Sequence, residues 1–202
     1  MRRLVFNSLL GCVFVVAALA IWSSPHAQGQ TANAGSGDLW VLLKKPHHIV
    51  LLRHSTAPGS VPESNDMNFN DCSIQRNLDQ DGRAQAARIG DAFRKNGISS
   101  VRLYSSQYCR AMDTAKLTRL GPVTPLPILN QVNLVDVAGM RKAGSEGREF
   151  MRKLPAGQLT MLVSHVTNIS AIAGINLDSG EIAVVHFEPS GELVVDGKIT
   201  VP

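Results

Sequence analysis

A short, uninterrupted apolar run that ends in an arginine and a histidine constrains the fold of this chain more than any other feature. Residues Ile49 to Leu52 are all aliphatic, Arg53 and His54 follow, and the chain then turns polar. Such a run is typical of a buried strand, as in a parallel sheet. In open α/β sheets, ligands bind just beyond the carboxyl ends of such strands. The sequence therefore predicts that His54 is a nucleophile and that Arg53 holds the anion it attacks.

The same pattern recurs further along the chain. A second strand is predicted over 98–104, followed by a helix that begins near Arg110 and runs to Leu120, and a third over 159–163, followed by His165 and a helix over 169–174. Strands alternating with helices indicate an α/β sheet. The other predicted elements are a helix over 79–95, a short strand with a loop over 126–134, a helix over 144–154, and a closing hairpin of 181–187 with 192–195.

The amino-terminal segment has the composition of a secretory leader. Arg2 and Arg3 precede an apolar run from Leu9 to Trp22, and small residues follow. This pattern predicts a signal peptide over residues 1–27, export to the periplasm, and no stable membrane insertion once the leader is removed. An uncleaved anchor is the alternative, because the segment has no clean Ala-x-Ala cleavage site. Residues 28–39 are predicted as a flexible linker, and residues 40–202 as the folded domain.

Charge and composition exclude nucleic acid as a partner. The formal net charge of the chain is +4. It falls to +2 without the two leader arginines, which is too small for a nucleic-acid footprint. His47 and His48 are interpreted as surface residues rather than a metal pair, because no cysteine or acidic partner lies nearby at ligand spacing. No cofactor and no metal are expected.

The residues at the three strand ends suit a phosphoryl group. Parallel strands place their carboxyl ends on one edge of a sheet, which would bring together Arg53, His54, Arg110 and His165. Guanidinium groups match phosphate oxygens in pairs and stay charged at any relevant pH. Histidine attacks as the neutral ring, which its ordinary pKa of about 6.5 makes accessible near neutrality.

These residues also resemble the motifs of the histidine phosphatase superfamily, the phosphoglycerate-mutase-like proteins. The resemblance runs from about His47 to Val185. It rests on Leu52-Arg53-His54, on Ser105-Ser106 with Arg110 and Thr114-Ala115, and on Val163-Ser164-His165 with Asn168. It implies a three-layer sandwich with a mostly parallel central sheet between helices. It also implies a small phosphorylated substrate and a covalent phosphohistidine on His54, with Arg53, Arg110 and His165 binding the phosphoryl group.

Three departures from the family pattern leave alternatives open. Ser55 follows the nucleophile, where the family usually has Gly or Ala. The general acid is expected after the short strand predicted within 126–134; Asp136 is the best-placed carboxylate, although an ordinary loop aspartate is an equal interpretation. The chain lacks the long insertions of many mutases. The sequence therefore favours a phosphomonoester hydrolase; a phosphoglycerate-type mutase and a non-catalytic phosphate- or phosphosugar-binding protein are the alternatives.

Four further residues carry open predictions. Asn77 could donate to the phosphate or serve as a turn residue, and Thr167 could bind substrate or cap a helix. Cys72 and Cys109 could form one disulfide in an oxidising compartment, and two separate thiols are the alternative. A disulfide would hold the loop after His54 against Arg110.

Overall fold

The computed structural model of the protein describes residues 36–59 and 67–202. The predicted leader and residues 28–35 of the predicted linker lie outside this range. No helix within the described ranges has both the length and the apolar character needed to cross a membrane.

The described residues alternate between strands and helices, as the sequence predicts. The strands are β1 (Ile49–Arg53), β2 (Arg102–Ser105), β3 (Val123–Pro125), β4 (Thr160–Ser164), β5 (Ile182–Phe187) and β6 (Leu193–Ile199). The α-helices are α1 (Ser36–Leu42), α2 (Gln80–Lys95), α3 (Cys109–Thr118), α4 (Val137–Arg152) and α5 (Val166–Ala173), with short 3₁₀ turns at Cys72–Ile74 and Pro127–Leu129.

In the part of the chain that the structure describes, the six strands form one mixed sheet in the order β3-β2-β4-β1-β5-β6. The neighbours from β3 to β1 pair in parallel, and β5 and β6 add antiparallel strands at one edge. Strand β1 is therefore central, with β4 on one side and β5 on the other. The mostly parallel α/β sheet is confirmed.

Alternation along the central strand divides the core into two layers. Val50 and Leu52 point to the side covered by α1, α2 and α3, where they pack with residues such as Phe93. Ile49 and Leu51 point to the opposite side, covered by α4 and α5. Both faces of β1 are buried, as in the parallel strands of three-layer folds. The sheet with a layer of helices on each face is the three-layer sandwich that the sequence predicts.

The ends of β2, α5 and β6 lie three or four residues from their predicted positions, and three other elements also differ from the predictions. Helix α1 begins at Ser36, inside the segment predicted as linker to residue 39, and Leu39 is fully buried in the core. The predicted strand within 126–134 is instead β3 at Val123–Pro125 and a 3₁₀ turn.

Helix α4 is the third difference, since it begins at Val137 and not at residue 144. Glycines weaken a helix prediction, and two of the three in α4, Gly144 and Gly147, serve its packing on α5. A side chain at Gly144 would approach the carbonyl oxygen of Ala171 to 2.3 Å, and one at Gly147 would meet Ile172.

Candidate active site

Three strand ends bring the predicted arginines and histidines to one edge of the sheet. Arg53 pairs in register with Ser164, the last residue of β4. The next residue, His54, donates its backbone N–H to the carbonyl oxygen of Ser164 at 3.0 Å. On the other side of β4, Ser106 N–H donates to Val163 O at 2.9 Å. His54, His165 and Arg110 are all almost fully buried there, with at most 2% of the side chain exposed.

The hydrogen bonds of His54 define which ring nitrogen is available for chemistry. Its Nδ1 lies 2.8 Å from the backbone carbonyl oxygen of Ser55, which can only accept. Nδ1 therefore carries the proton in the neutral ring, and Nε2 carries the lone pair. Arg110 Nε donates to Nε2 at 3.3 Å. The sequence could not name the partner that fixes this ring; it is a main-chain oxygen of the next residue.

The second histidine has the opposite tautomer. Arg110 Nη2, a donor, lies 3.3 Å from His165 Nδ1, so Nδ1 of the neutral ring accepts and Nε2 carries the proton. Nε2 then donates to Ser106 Oγ at 2.8 Å, and this hydroxyl donates to Asn130 Oδ1 at 3.2 Å. Ser106 is therefore the residue that orients His165.

Arg110 occupies the centre of the site. Besides the two histidines, its Nη2 donates to Gln131 Oε1 at 2.7 Å. Its Cζ lies 4.6 Å from the ring centroid of Tyr108, a cation–π distance. One guanidinium thus contacts both imidazoles and an amide oxygen.

The electrostatics of the site keep both histidines neutral. Burial, followed by the charges of nearby arginines, lowers the pKa of His54 from 6.5 to about 3, although its hydrogen bond to Ser55 opposes the shift. The pKa of His165 is lowered well below its usual value for the same reason, burial first. Burial and the charge of Arg110 also lower the pKa of Arg53, with Asp178 opposing. The guanidinium remains a cation at neutral pH.

Two contributors to the site were missed in the sequence. Arg76, in the segment that precedes α2, lies close enough for its charge to depress the pKa of both histidines. Gln131 contacts Arg110 from the segment where the general acid was sought. Asn168 holds this segment, because its side chain accepts from Val132 N–H at 3.1 Å and donates to Ile128 O. Neither Arg76 nor Gln131 lies at a strand end, so the strand-end pattern did not predict them.

Asp136, the carboxylate proposed from the sequence as general acid, caps helix α4. It is exposed, and its Oδ1 accepts from Gly139 N–H at 2.8 Å. None of its hydrogen bonds reaches His54, Arg110 or His165.

The two residues predicted to bind substrate lie in different settings. Asn77 uses its Nδ2 to donate to the carbonyl oxygens of Cys72 and Gln75, which is the turn role left open by the sequence. Thr167 is buried in the first turn of α5, directly after His165, and its hydroxyl donates to Asn168 Oδ1 at 3.3 Å. It is not the cap of that helix, because His165 occupies the N-cap position.

The two cysteines of the folded domain form a disulfide, Cys72–Cys109. The bond joins the loop after β1 to the first residue of α3, immediately before Arg110. Gln75 reinforces this junction, since its Oε1 accepts from Cys109 N–H at 3.0 Å. The disulfide left open by the sequence is therefore present in the structure, and it lies one residue from the central arginine.

The α/β fold and the arginines and histidines at its strand ends suit a protein that acts on phosphoryl groups. The comparison with protein families identifies the family. Residues 49–154 match the histidine phosphatase superfamily (branch 1), and the chain belongs to this superfamily. Membership supports an enzyme of the phosphatase or mutase class. His165 lies beyond the matched segment. No curated protein matches the sequence significantly.

Solved structures share the fold at low identity. A phosphoserine phosphatase mutant from Entamoeba histolytica in complex with phosphoserine has 14% identity and a TM-score of 0.59, covering 76% of this chain and 97% of that one. A mycobacterial glucosyl-3-phosphoglycerate phosphatase with VO3 has 16% identity and a TM-score of 0.56, covering 74% and 97%. The protein histidine phosphatase SixA with tungstate has 17% identity and a TM-score of 0.50, covering 76% and 96%. At these identities the likeness concerns the fold.

Proposed function

We propose that the protein is a phosphomonoester hydrolase that acts through a covalent phosphohistidine on His54. The observation that carries the proposal is the tautomer of this ring. Because the Ser55 carbonyl oxygen takes the Nδ1 proton, the Nε2 lone pair faces the arginine that would hold the phosphoryl group. The lowered pKa of His54 keeps that lone pair available at neutral and mildly acidic pH.

In the proposed reaction, Nε2 attacks phosphorus in line, the bond between phosphorus and the ester oxygen breaks, and the leaving oxygen takes up a proton from water to give the alcohol. Water then attacks the phosphohistidine, which releases phosphate and restores His54. Arg110 must exchange its bonds to the two histidines for bonds to phosphoryl oxygens before the attack. The entering anion therefore frees the nucleophile that the arginine holds in the free enzyme.

The surrounding cations support binding of the phosphoryl oxygens. Arg53 Nη1 donates to Leu177 O, while its Nε is a buried donor with no partner among the described residues. Since a buried donor without a partner is costly, an anion that accepts from it would be favoured. His165 Nδ1 becomes a donor when the ring takes up a proton, which the negative charge of the substrate favours, or when the neutral ring changes tautomer and Nε2 accepts from the Ser106 hydroxyl. Such stabilisation supplies most of the catalysis of phosphoryl transfer.

A non-catalytic phosphate-binding protein is the second candidate, and Gln131 is the observation that favours it. The side chain that reaches Arg110 from the 126–136 segment is an amide, which cannot protonate a leaving group.

We also propose that the protein is exported to the periplasm. The disulfide next to Arg110 supports this location, because such bonds persist in oxidising compartments.

Hydrolysis of an aryl phosphate separates these candidates. The parent should release phosphate and phenol in equal amounts, and His54→Asn should lose at least about a thousandfold in kcat, as expected for a nucleophile. With glycerol as acceptor, a hydrolase yields free phosphate and a mutase-like transferase yields glycerol phosphate. Stoichiometric binding of inorganic phosphate without turnover of any phosphomonoester tested would refute the hydrolase and support the binding protein.

A further inference from the structure

A second cluster of ligand-type side chains lies at the opposite end of the sheet from the active site. His48 Nε2 is 3.7 Å from Asp196 Oδ2, and His186 Nδ1 is 3.0 Å from the same oxygen. One ligand atom from each residue lies within 4.8 Å of the others. His48 precedes His54 by six residues, so the two sites are about 20 Å apart along β1.

The strand register and a bulge build this cluster. Ile49 pairs with Val185 across the antiparallel pair, which places His48 opposite His186 on the same face of the sheet. Their ring centroids are 5.3 Å apart. On β6, Val184 pairs with Gly197 and Val185 with Val195, so Asp196 is the extra residue of a β-bulge. Bulges re-aim side chains, and this one brings the carboxylate to the two imidazoles.

The hydrogen bonding of the cluster is incomplete without another partner. His48 Nδ1 is buried and has no hydrogen-bond partner in the structure, and its Nε2 is beyond hydrogen-bond distance of Asp196. Only 11% of the His48 side chain is exposed to solvent. An ion between these side chains would contact Nε2, the nitrogen nearer Asp196, which has no hydrogen-bond partner among the described residues; the buried Nδ1 would keep the ring's proton and takes no part in the proposed site.

From these contacts we infer that His48, His186 and Asp196 form a binding site for a divalent transition metal ion of the zinc type. Two imidazole nitrogens and one carboxylate oxygen are a standard zinc ligand set, and a tetrahedral site separates its donor atoms by about 3.3 Å. The two distances to Asp196 Oδ2 bracket this value. Three protein ligands leave the fourth position for water.

Glu188 supplies the outer contact that metal-binding histidines use. Its Oε1 lies 3.2 Å from His186 Nε2, the nitrogen that would not face the ion. A carboxylate in this place fixes the ring orientation and makes the ligating nitrogen more basic. The acidic partners come from β5 and β6, far from His48 in the sequence, which is why the region around His47 and His48 alone gave no metal prediction.

The test is titration of the purified, chelator-treated protein with Zn²⁺ and Co²⁺ in phosphate-free buffer. Binding is measured by calorimetry and by the absorption spectrum of cobalt. The parent should bind one ion per chain, with the absorption of four-coordinate cobalt, and its Tm should rise with the ion. Asp196→Asn should lose this binding. Glu188→Gln should weaken it by about 10- to 100-fold, the range for outer contacts of metal ligands.

Two controls locate the site. His47→Asn, a change to a neighbouring histidine outside the cluster that tolerates its positive φ, should bind the ion as the parent does. His54→Asn should also retain binding, since its ring belongs to the other site. The Tm of each metal-free variant shows whether it folds. Absence of stoichiometric binding by the folded parent, or unchanged binding by folded Asp196→Asn, would overturn the inference and leave His186 as a simple ion-pair partner of Asp196 and Glu188.

Discussion

The neutral, buried state of His54 predicts a specific loss of stability in acid. In the folded protein its pKa is about 3, against 6.5 for an unperturbed histidine. Below pH 6.5 the unfolded chain therefore binds a proton that the folded chain does not, so the free energy of unfolding falls as the pH falls. The loss is complete near pH 3.

The magnitude follows from the size of the shift. Each pH unit below 6.5 costs about 1.4 kcal/mol for one such group. At pH 4.5 the contribution of His54 to the loss is thus about 2.7 kcal/mol. The matched variant is His54→Asn, which cannot titrate and whose amide can still donate to the Ser55 carbonyl oxygen.

The assay is urea unfolding of both proteins at pH 7 and pH 4.5, in buffer without phosphate. The parent should lose about 2.7 kcal/mol more than His54→Asn between the two pH values. All other titrating groups, including His165, are common to both proteins and cancel to first order. Equal losses in the parent and the variant would refute the claim that His54 is buried as the neutral ring.

Three further predictions follow from the site. Ring ¹⁵N NMR of the free enzyme at pH 5 should show His54 neutral with its proton on Nδ1 and His165 neutral with its proton on Nε2; an imidazolium or the reverse tautomers would contradict the hydrogen-bond assignment. Asp136→Asn should retain kcat within about twofold, because the hydrogen bond of Asp136 is the helix cap, which Asn also makes; a fall of about a hundredfold or more would instead identify Asp136 as the general acid. Replacing Cys72 by Ser should lower the free energy of unfolding by about 4 kcal/mol for a loop of 37 residues and reduce activity through Arg110, and reductant should reproduce both effects on the parent alone; a Cys72→Ser protein as stable and active as the parent would contradict this role of the disulfide.

The fold was predictable because its strands are short apolar runs and its main helices carry clear end signals. Helix α2 begins after Asp79, whose side chain accepts from Gly82 N–H, and ends with Arg94 and Lys95. Helix α4 was predicted too short because three glycines lower its propensity; the close approach of α5 explains Gly144 and Gly147, and the cap at Asp136 explains Gly139. Propensity is local, whereas packing between helices depends on the tertiary structure.

The site was predictable to the extent that it lies at strand ends. Arg53, His54, Arg110 and His165 were found because parallel strands share an edge. Ser106 stands in a quoted motif directly after β2, but its hydrogen bond to His165 is a tertiary contact, and Gln131 reaches Arg110 from a loop; no spacing in the sequence encodes either contact. The metal cluster illustrates the same limit, since a single bulge at Asp196 decides whether its carboxylate meets two histidines.

The most direct test of the central claim is a search for the phosphorylated enzyme. The purified protein is mixed with a ³²P-labelled aryl phosphate, quenched within the first turnover, and compared with His54→Asn. The account predicts an acid-labile, base-stable label that forms on the parent, maps to the peptide containing His54, and is absent from the variant. Turnover by the parent with no labelled histidine, or an equal label on the variant, would contradict a covalent phosphohistidine on His54.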